Sequence, residues 1–140
     1  MRYRFDECLE RGKIVRISPD PDLIGKEHRE AEADLQAAKN SLEDHNEKWA
    51  IIQGYYSMVH SLRSRVFAQG YREKSHRCLK YAVEALLVDP GFLEPEVLDQ
   101  FSFAMTVREG ADYGNVYDSG TARIIVSSAQ SIYERVSRGS

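Results

Sequence analysis

Long hydrophobic runs are absent from this chain of 140 residues. None approaches the roughly 20 consecutive apolar residues that a membrane-spanning helix needs. The first residues, MRYRFDECLERGK, are charged and therefore do not resemble a secretory signal. We expect a cytoplasmic protein that does not associate with membranes.

Cysteine and histidine are scarce, and their spacing does not suit a metal site. Cys8 and Cys78 have no CxxC partner, and the four histidines are scattered along the chain. Gly-rich phosphate loops, dinucleotide fingerprints and nucleophile elbows are also missing. We therefore expect structural thiols, no metal and no cofactor, and none of the common enzyme signatures indicates a reaction.

The composition is that of one folded domain with an uneven charge. Hydrophobic residues make up 42% and charged residues 29% of the chain, which is ordinary for a globular protein. The net charge of -3 hides two segments of opposite sign. Residues 20–47 hold nine acidic against three basic residues, or -6, whereas residues 60–80 hold six basic against one acidic residue, or +5.

Apolar residues recur at helical spacing in five segments, which are 21–46, 46–70, 76–88, 95–109 and 120–137. Candidate N-caps precede three of them: Ser18 or Asp20, Ser75, and Asp118 or Ser119. Gly70 is a natural end for the second helix. The connector between the first two helices is short, so we expect them to fold back on each other as an antiparallel hairpin.

These segments predict an all-α protein, an up-and-down antiparallel bundle of about five helices. We assign residues 1–140 to a single domain, in which 1–18 form an N-terminal extension that packs on the bundle. Residues 12–17, GKIVRI, have the composition of a short strand, but the rest of the sequence offers this strand no evident partner.

A basic segment is the first feature that suggests chemistry. Arg63, Arg65, Arg72 and Lys74 are interleaved with aromatic side chains and His76, a pattern that suits the backbone and bases of a nucleic acid. The same pattern also fits a solvated face, or a face that complements the acidic first helix. Both interpretations stay open at this point.

Two further pairs of residues each allow two interpretations. Tyr56 and His60 are four apart on one helix face, where the histidine could act as a base or simply belong to an aromatic core stripe. Arg108 and Asp112 are also four apart, near the end of the fourth helix, with Tyr113 beside them. This cluster could bind phosphate, or it could be a local ion pair.

Several motifs together resemble prokaryotic HEPN-domain proteins. They are FDECLERGKI, the A-x-x-D-L-x-A-A-K pattern that ends at Lys39, GYYSMVHSLRSRVFAQGYREKSH and REGADYG, in the order found in that family. The resemblance covers nearly the whole chain. It implies a helical bundle, usually a homodimer, and many members are toxin ribonucleases encoded beside a nucleotidyltransferase antitoxin.

The resemblance also implies roles for individual residues. The ribonuclease signature is an arginine followed after four to six residues by a histidine, and here Arg108 matches the arginine while Tyr113 stands in place of the histidine. A phenol has a pKa of about 10 and cannot exchange protons near neutrality as an imidazole does.

The favoured hypothesis is a protein that binds a nucleotide or RNA and acts with a nucleotidyltransferase partner, in the manner of a toxin–antitoxin pair. The binding residues are then Arg63, Arg65, Arg72, Lys74, His76 and Asp112. One alternative is a metal-independent endoribonuclease in which Arg108 stabilises the phosphate and Tyr113 or His60 contacts the 2′-hydroxyl. Another is a dimerisation module without catalysis.

Overall fold

Two long antiparallel helices form the frame on which the other elements pack. In the computed structural model, which describes residues 2–112 and 117–138, these are α2, Pro21–Glu43, and α3, Glu47–Ala68. The Ser57 hydroxyl donates to the carbonyl oxygen of Ala31 over 2.8 Å, and one turn further along α3 a side chain contacts an earlier turn of α2. The predicted hairpin is therefore confirmed.

The remaining helices complete a bundle, as the sequence predicted. They are α1, Tyr3–Glu10; α4, His76–Val83, which continues into a π-helical turn, Glu84–Val88; α5, Glu96–Asp112; and α6, Ser119–Arg138. The all-α class is confirmed, because the described part of the chain adds only two three-residue strands. None of its helices has the length and apolarity that crossing a membrane would require.

Side chains at the helix starts make the capping hydrogen bonds that the sequence suggested. Asp20 Oδ1 accepts from the backbone N–H of Asp22 over 2.9 Å, and Ser75 Oγ accepts from that of Cys78 over 3.1 Å. At α6, Asp118 Oδ1 accepts from the N–H of Thr121 over 2.7 Å. Each bond satisfies a helix donor that has no partner within the helix, so the cap fixes where the helix begins.

Residues 12–17 do have a strand partner, so that part of the sequence prediction is wrong. Strand β1, Ile14–Arg16, pairs antiparallel with β2, Tyr71–Glu73, and places Ile14 opposite Glu73. Gly70, at φ +88°, turns the chain out of α3 and into β2. A strand of three residues is too short to produce a periodic pattern, and this one lies inside the basic segment.

Helix α1 is attached to the bundle by a covalent bond that the sequence did not predict. Cys8 and Cys78, 70 residues apart, form a disulfide that joins α1 to α4, so the expectation of two thiols is wrong. Phe5 is fully buried one turn away and contacts the ring of Tyr71. Disulfides are rare in a reducing cytoplasm, so the bond lends no support to the expected location, which stays a prediction.

The core is centred on α3, which packs against α2, α5 and α6. Gly54 lies where α3 crosses α6, and a Cβ atom at this position would lie 3.1 Å from Cγ2 of Ile125. The two helices therefore approach each other more closely than most side chains at position 54 would permit.

A larger side chain at position 54 should separate α3 from α6. We expect Gly54→Leu to lower the free energy of unfolding by about 1–3 kcal/mol through overpacking. Gly25→Leu is the matched control, because its nearest neighbour is the flexible end of Arg29 and leucine is the better helix former, by up to about 1 kcal/mol. Urea unfolding of both variants measures the difference, and equal effects at the two positions would contradict the close crossing.

Candidate functional site

The middle of α3, the start of α4 and the end of α5 bring four side chains together. Tyr55 and Tyr56 come from α3, His76 from α4 and Arg108 from α5, and we call these four residues the tyrosine cluster. Arg108 Nη2 donates to the hydroxyl oxygen of Tyr56 over 2.9 Å. The guanidinium carbon of Arg108 lies 5.4 Å from the ring centroid of Tyr56 and 5.7 Å from that of Tyr55, within the range of cation–π attraction.

Tyr55 determines which nitrogen of His76 carries a proton. The Tyr55 side chain is fully buried, and burial raises the pKa of its phenol, so the hydroxyl keeps its proton across the physiological range. Its oxygen lies 2.5 Å from Nδ1 of His76. Because the phenol O–H donates to Nδ1, the neutral imidazole carries its own proton on Nε2.

His76 is held in the neutral form by its surroundings. Burial lowers the pKa of the imidazole, and the positive charges of Arg63 and Arg108, together with His60, lower it further. The His76 ring is 6.0 Å from the ring of Tyr56, which also receives the hydrogen bond of Arg108. The cluster therefore combines a fixed cation with a neutral N–H donor, an arrangement suited to an anion.

Beside this cluster, four charged side chains form a buried ion-pair network. Glu27 on α2 accepts hydrogen bonds from His60 Nδ1 over 2.8 Å and from Arg63 Nη1 over 3.0 Å. Arg63 also donates to Glu73 on β2, over 2.8 Å from Nε. Glu27 and Glu73 are only 8% and 6% exposed, so each carboxylate needs these partners.

His60 is part of this network and does not face Tyr56 alone. Its Nδ1 bonds Glu27, and its Nε2 lies 3.7 Å from Asp34. Burial raises the pKa of the Glu27 carboxyl, but the hydrogen bonds and charges of His60 and Arg63 outweigh this and leave the pKa below its ordinary value. The geometry gives His60 a positioning role between two carboxylates of α2.

The structure divides the basic segment between the interior and the surface. Arg63 points inward and pairs with the acidic helix α2, which is one of the two interpretations left open by the sequence. Arg72 and Lys74 alternate with the buried Glu73 and are exposed, with the guanidinium carbon of Arg72 5.5 Å from the ring centroid of Phe67. Arg65 is half-buried on α3.

Two of the predicted site residues are not available for comparison. Tyr113 lies outside the described residues, and Asp112 ends α5 with a side chain that is also outside them. The predicted Arg108–Asp112 pair and the role of Tyr113 therefore stay predictions. Tyr55 is the residue that sequence reasoning missed, because its partner His76 is 21 positions away.

Replacing Glu27 tests the ion-pair network. We expect Glu27→Gln to lower the free energy of unfolding at pH 7 by about 1–3 kcal/mol, because Arg63 and His60 lose a charged acceptor. The depressed pKa of Glu27 stabilises the fold at neutral pH, and this contribution disappears as the pH falls through the carboxyl range, below the ordinary value of 4.5.

The variant should therefore lose less stability than the wild type on acidification, as measured by urea unfolding at several pH values. Glu43→Gln at the end of α2, an exposed position, is the control and should change little. Parallel pH profiles for the wild type and Glu27→Gln would exclude the proposed ionisation of Glu27.

Comparison with known proteins agrees with the resemblance drawn from the motifs. A family model described as the HEPN domain matches residues 27–139, which include the whole tyrosine cluster and the ion-pair network. A comparison with curated proteins finds no match. Since the family model covers most of the chain, the protein belongs to the HEPN domain family.

Proposed function

We propose that this protein binds the phosphate of RNA or of a nucleotide at the tyrosine cluster. The observation that carries the proposal is that Arg108 and His76 both contact Tyr56 while remaining only half-buried. Arg108 would supply charge and N–H donors, and His76 a neutral Nε2–H donor. Membership of the HEPN family supports a nucleotide- or RNA-related function in general.

Metal-independent cleavage of RNA is the second candidate, and one observation favours it. The cluster contains a histidine of lowered pKa near Arg108, although the position after Arg108 that matches the family motif holds Tyr113. A general base must accept a proton, however, and Nδ1 of neutral His76 already accepts the hydrogen bond of Tyr55. We therefore rank binding ahead of cleavage, with Tyr113 as a donor or as a target for modification.

We further propose that the protein is a cytoplasmic homodimer that acts with a nucleotidyltransferase partner, in the manner of a toxin–antitoxin pair. The support is the resemblance of GYREKSH and REGADYG to prokaryotic HEPN proteins that have such partners. Two facing copies of the cluster would bring two arginines to one phosphate, and the exposed Arg72 and Lys74 would extend the contact to neighbouring phosphates.

Removing the cation should weaken phosphate binding. We expect Arg108→Ala to reduce the affinity for a short single-stranded RNA by about tenfold to a hundredfold, the loss of one or two charge-assisted hydrogen bonds. Fluorescence anisotropy measures the affinity, and Arg29→Ala, an exposed arginine on α2, is the matched control.

The same proteins, incubated with RNA in a chelator, separate the candidate functions. Cleavage that Arg108→Ala abolishes would favour the ribonuclease over the binding protein. If RNA and nucleotides bind equally well to the wild type and the variant, the proposed phosphate site is wrong and the dimerisation module becomes the better hypothesis.

The affinity for RNA should also depend on the protonation of His76. A bound phosphate partly cancels the charges of Arg63 and Arg108 and raises the pKa of His76, so binding takes up a proton. We expect affinity to rise as the pH falls from about 7.5 to about 5.5, and His76→Gln to flatten this dependence.

The probe for this measurement is a phosphodiester without a terminal phosphate. A phosphomonoester changes its own charge near a pH of about 6 and would oppose the effect. His60 and the two tyrosines remain in the variant, so the difference between the two profiles isolates His76. Identical slopes for the wild type and His76→Gln would contradict the role given to this histidine.

A further inference from the structure

A continuous groove runs along α4, on the side where α1 and α5 flank it. Two adjoining cavities of about 270 Å³ and 110 Å³ share Arg77 and Tyr81 in their walls, so they form one depression that we call the α4 groove. The larger cavity lies between α1 and α4, and the smaller one between α4 and α5. No residue of the tyrosine cluster lines either cavity.

The lining of the α4 groove is strongly basic. It contains Arg4, Arg11, Lys13, Arg77 and Lys80, and Glu7 is its only carboxylate. Among the residues that the structure describes, Arg11, Lys13, Arg77 and Lys80 have no ion-pair partner within 4 Å. Such a concentration of uncompensated cations along a depression attracts a polyanion.

An aromatic side chain lies where the two cavities meet. Tyr81 lines both of them and is half-buried, and the guanidinium carbon of Arg4 lies 5.5 Å from its ring centroid. Nη1 of Arg4 is 3.4 Å from the Tyr81 hydroxyl, so the planar cation is held close to the ring. A tyrosine ring and a guanidinium plane are both surfaces on which an unpaired base stacks.

The disulfide fixes the two walls of the larger cavity. Cys8 and Cys78 both line it, and their bond joins α1 to α4. Arg4 and Arg11 on α1 are therefore held opposite Arg77 on α4. A groove whose walls are joined in this way loses little conformational freedom when a ligand binds.

We propose that the α4 groove is a second binding surface of this protein, for an unpaired segment of nucleic acid. Cations on either side of Tyr81 contact backbone phosphates, and Tyr81 with Arg4 stacks a base. The alternation of cations with an aromatic platform favours a nucleic acid over an acidic protein, which would use the cations but not the platform.

The α4 groove is distinct from the tyrosine cluster, although the two meet at the first turn of α4. His76 faces Tyr55 in the cluster, and the next residue, Arg77, lines the groove. The groove proposal does not rest on the proposed function, because each surface has its own cations.

Variants of the groove test the proposal on the full chain. The probe is a labelled single-stranded RNA of about 12 nucleotides, and its affinity is measured by fluorescence anisotropy over a series of salt concentrations. We expect Arg77→Ala with Lys80→Ala to weaken binding by about tenfold or more, and to lower the magnitude of the salt slope by about 1.4, the value for two single-strand phosphate contacts.

The aromatic platform has its own variants. We expect Tyr81→Ala to weaken binding of the single strand by about fivefold to a hundredfold, and Tyr81→Phe, which keeps the ring, to change it little. An RNA duplex of the same length should be insensitive to Tyr81→Ala, because its bases are not free to stack on the ring.

The controls separate this proposal from misfolding and from the tyrosine cluster. Arg29→Ala with Arg123→Ala removes the same charge from exposed positions on α2 and α6, and circular dichroism with thermal unfolding checks that every variant is folded. If Arg108→Ala abolishes binding while the groove variants bind as the wild type, the groove proposal is wrong and the proposed function stands. The reverse result supports the groove and removes the support for the cluster.

Two further outcomes would overturn the groove proposal. One is unchanged affinity and salt slope in Arg77→Ala with Lys80→Ala. The other is binding of polyglutamate as tight as that of the single-stranded RNA, with the same sensitivity to these variants, because the groove would then be a general site for polyanions.

Discussion

The burial of Tyr55 is the constraint on which the rest of the structure depends. Its ring stacks on Phe101 of α5 at 5.7 Å between centroids and meets Tyr56 edge to face. A phenol hydroxyl in such a core must keep a hydrogen-bond partner, and His76 at the start of α4 supplies it. One side chain thus determines how α3, α4 and α5 meet.

The same constraint explains why the candidate phosphate site is positive but not fully hydrated. Satisfying Tyr55 turns the Nε2–H of His76 away from the core, and the aromatic pair provides a surface for the guanidinium of Arg108. Aromatic rings hold a guanidinium without neutralising its charge, as a carboxylate would. The charge of Arg108 therefore remains available to attract a phosphate.

The opposite charges of the acidic first helix and the basic segment are only partly used against each other. Arg63 and His60 pair with Glu27 on α2, and Arg63 extends the network to Glu73. Arg72 and Lys74 stay on the surface of β2, and Arg77 faces the groove along α4. Both interpretations of the basic segment thus hold, each for different residues.

The sequence by itself determined the long helices, their N-caps and the HEPN family. Amphipathic spacing and capping residues act within one or two helical turns, so they can be read from neighbouring positions. Arg108 was also identified from its motif, although neither that motif nor the spacing of its neighbours revealed its contact with Tyr56.

Only the tertiary structure decided the contacts between distant positions. The Tyr55–His76 bond, the disulfide between Cys8 and Cys78, the β1–β2 pair and the pairing of Glu27 with Arg63 join residues 21 to 70 positions apart in the chain. Such contacts depend on how helices pack, and no local pattern specifies the packing. The chemistry of both candidate binding surfaces therefore follows from the packing of α4 against its neighbours.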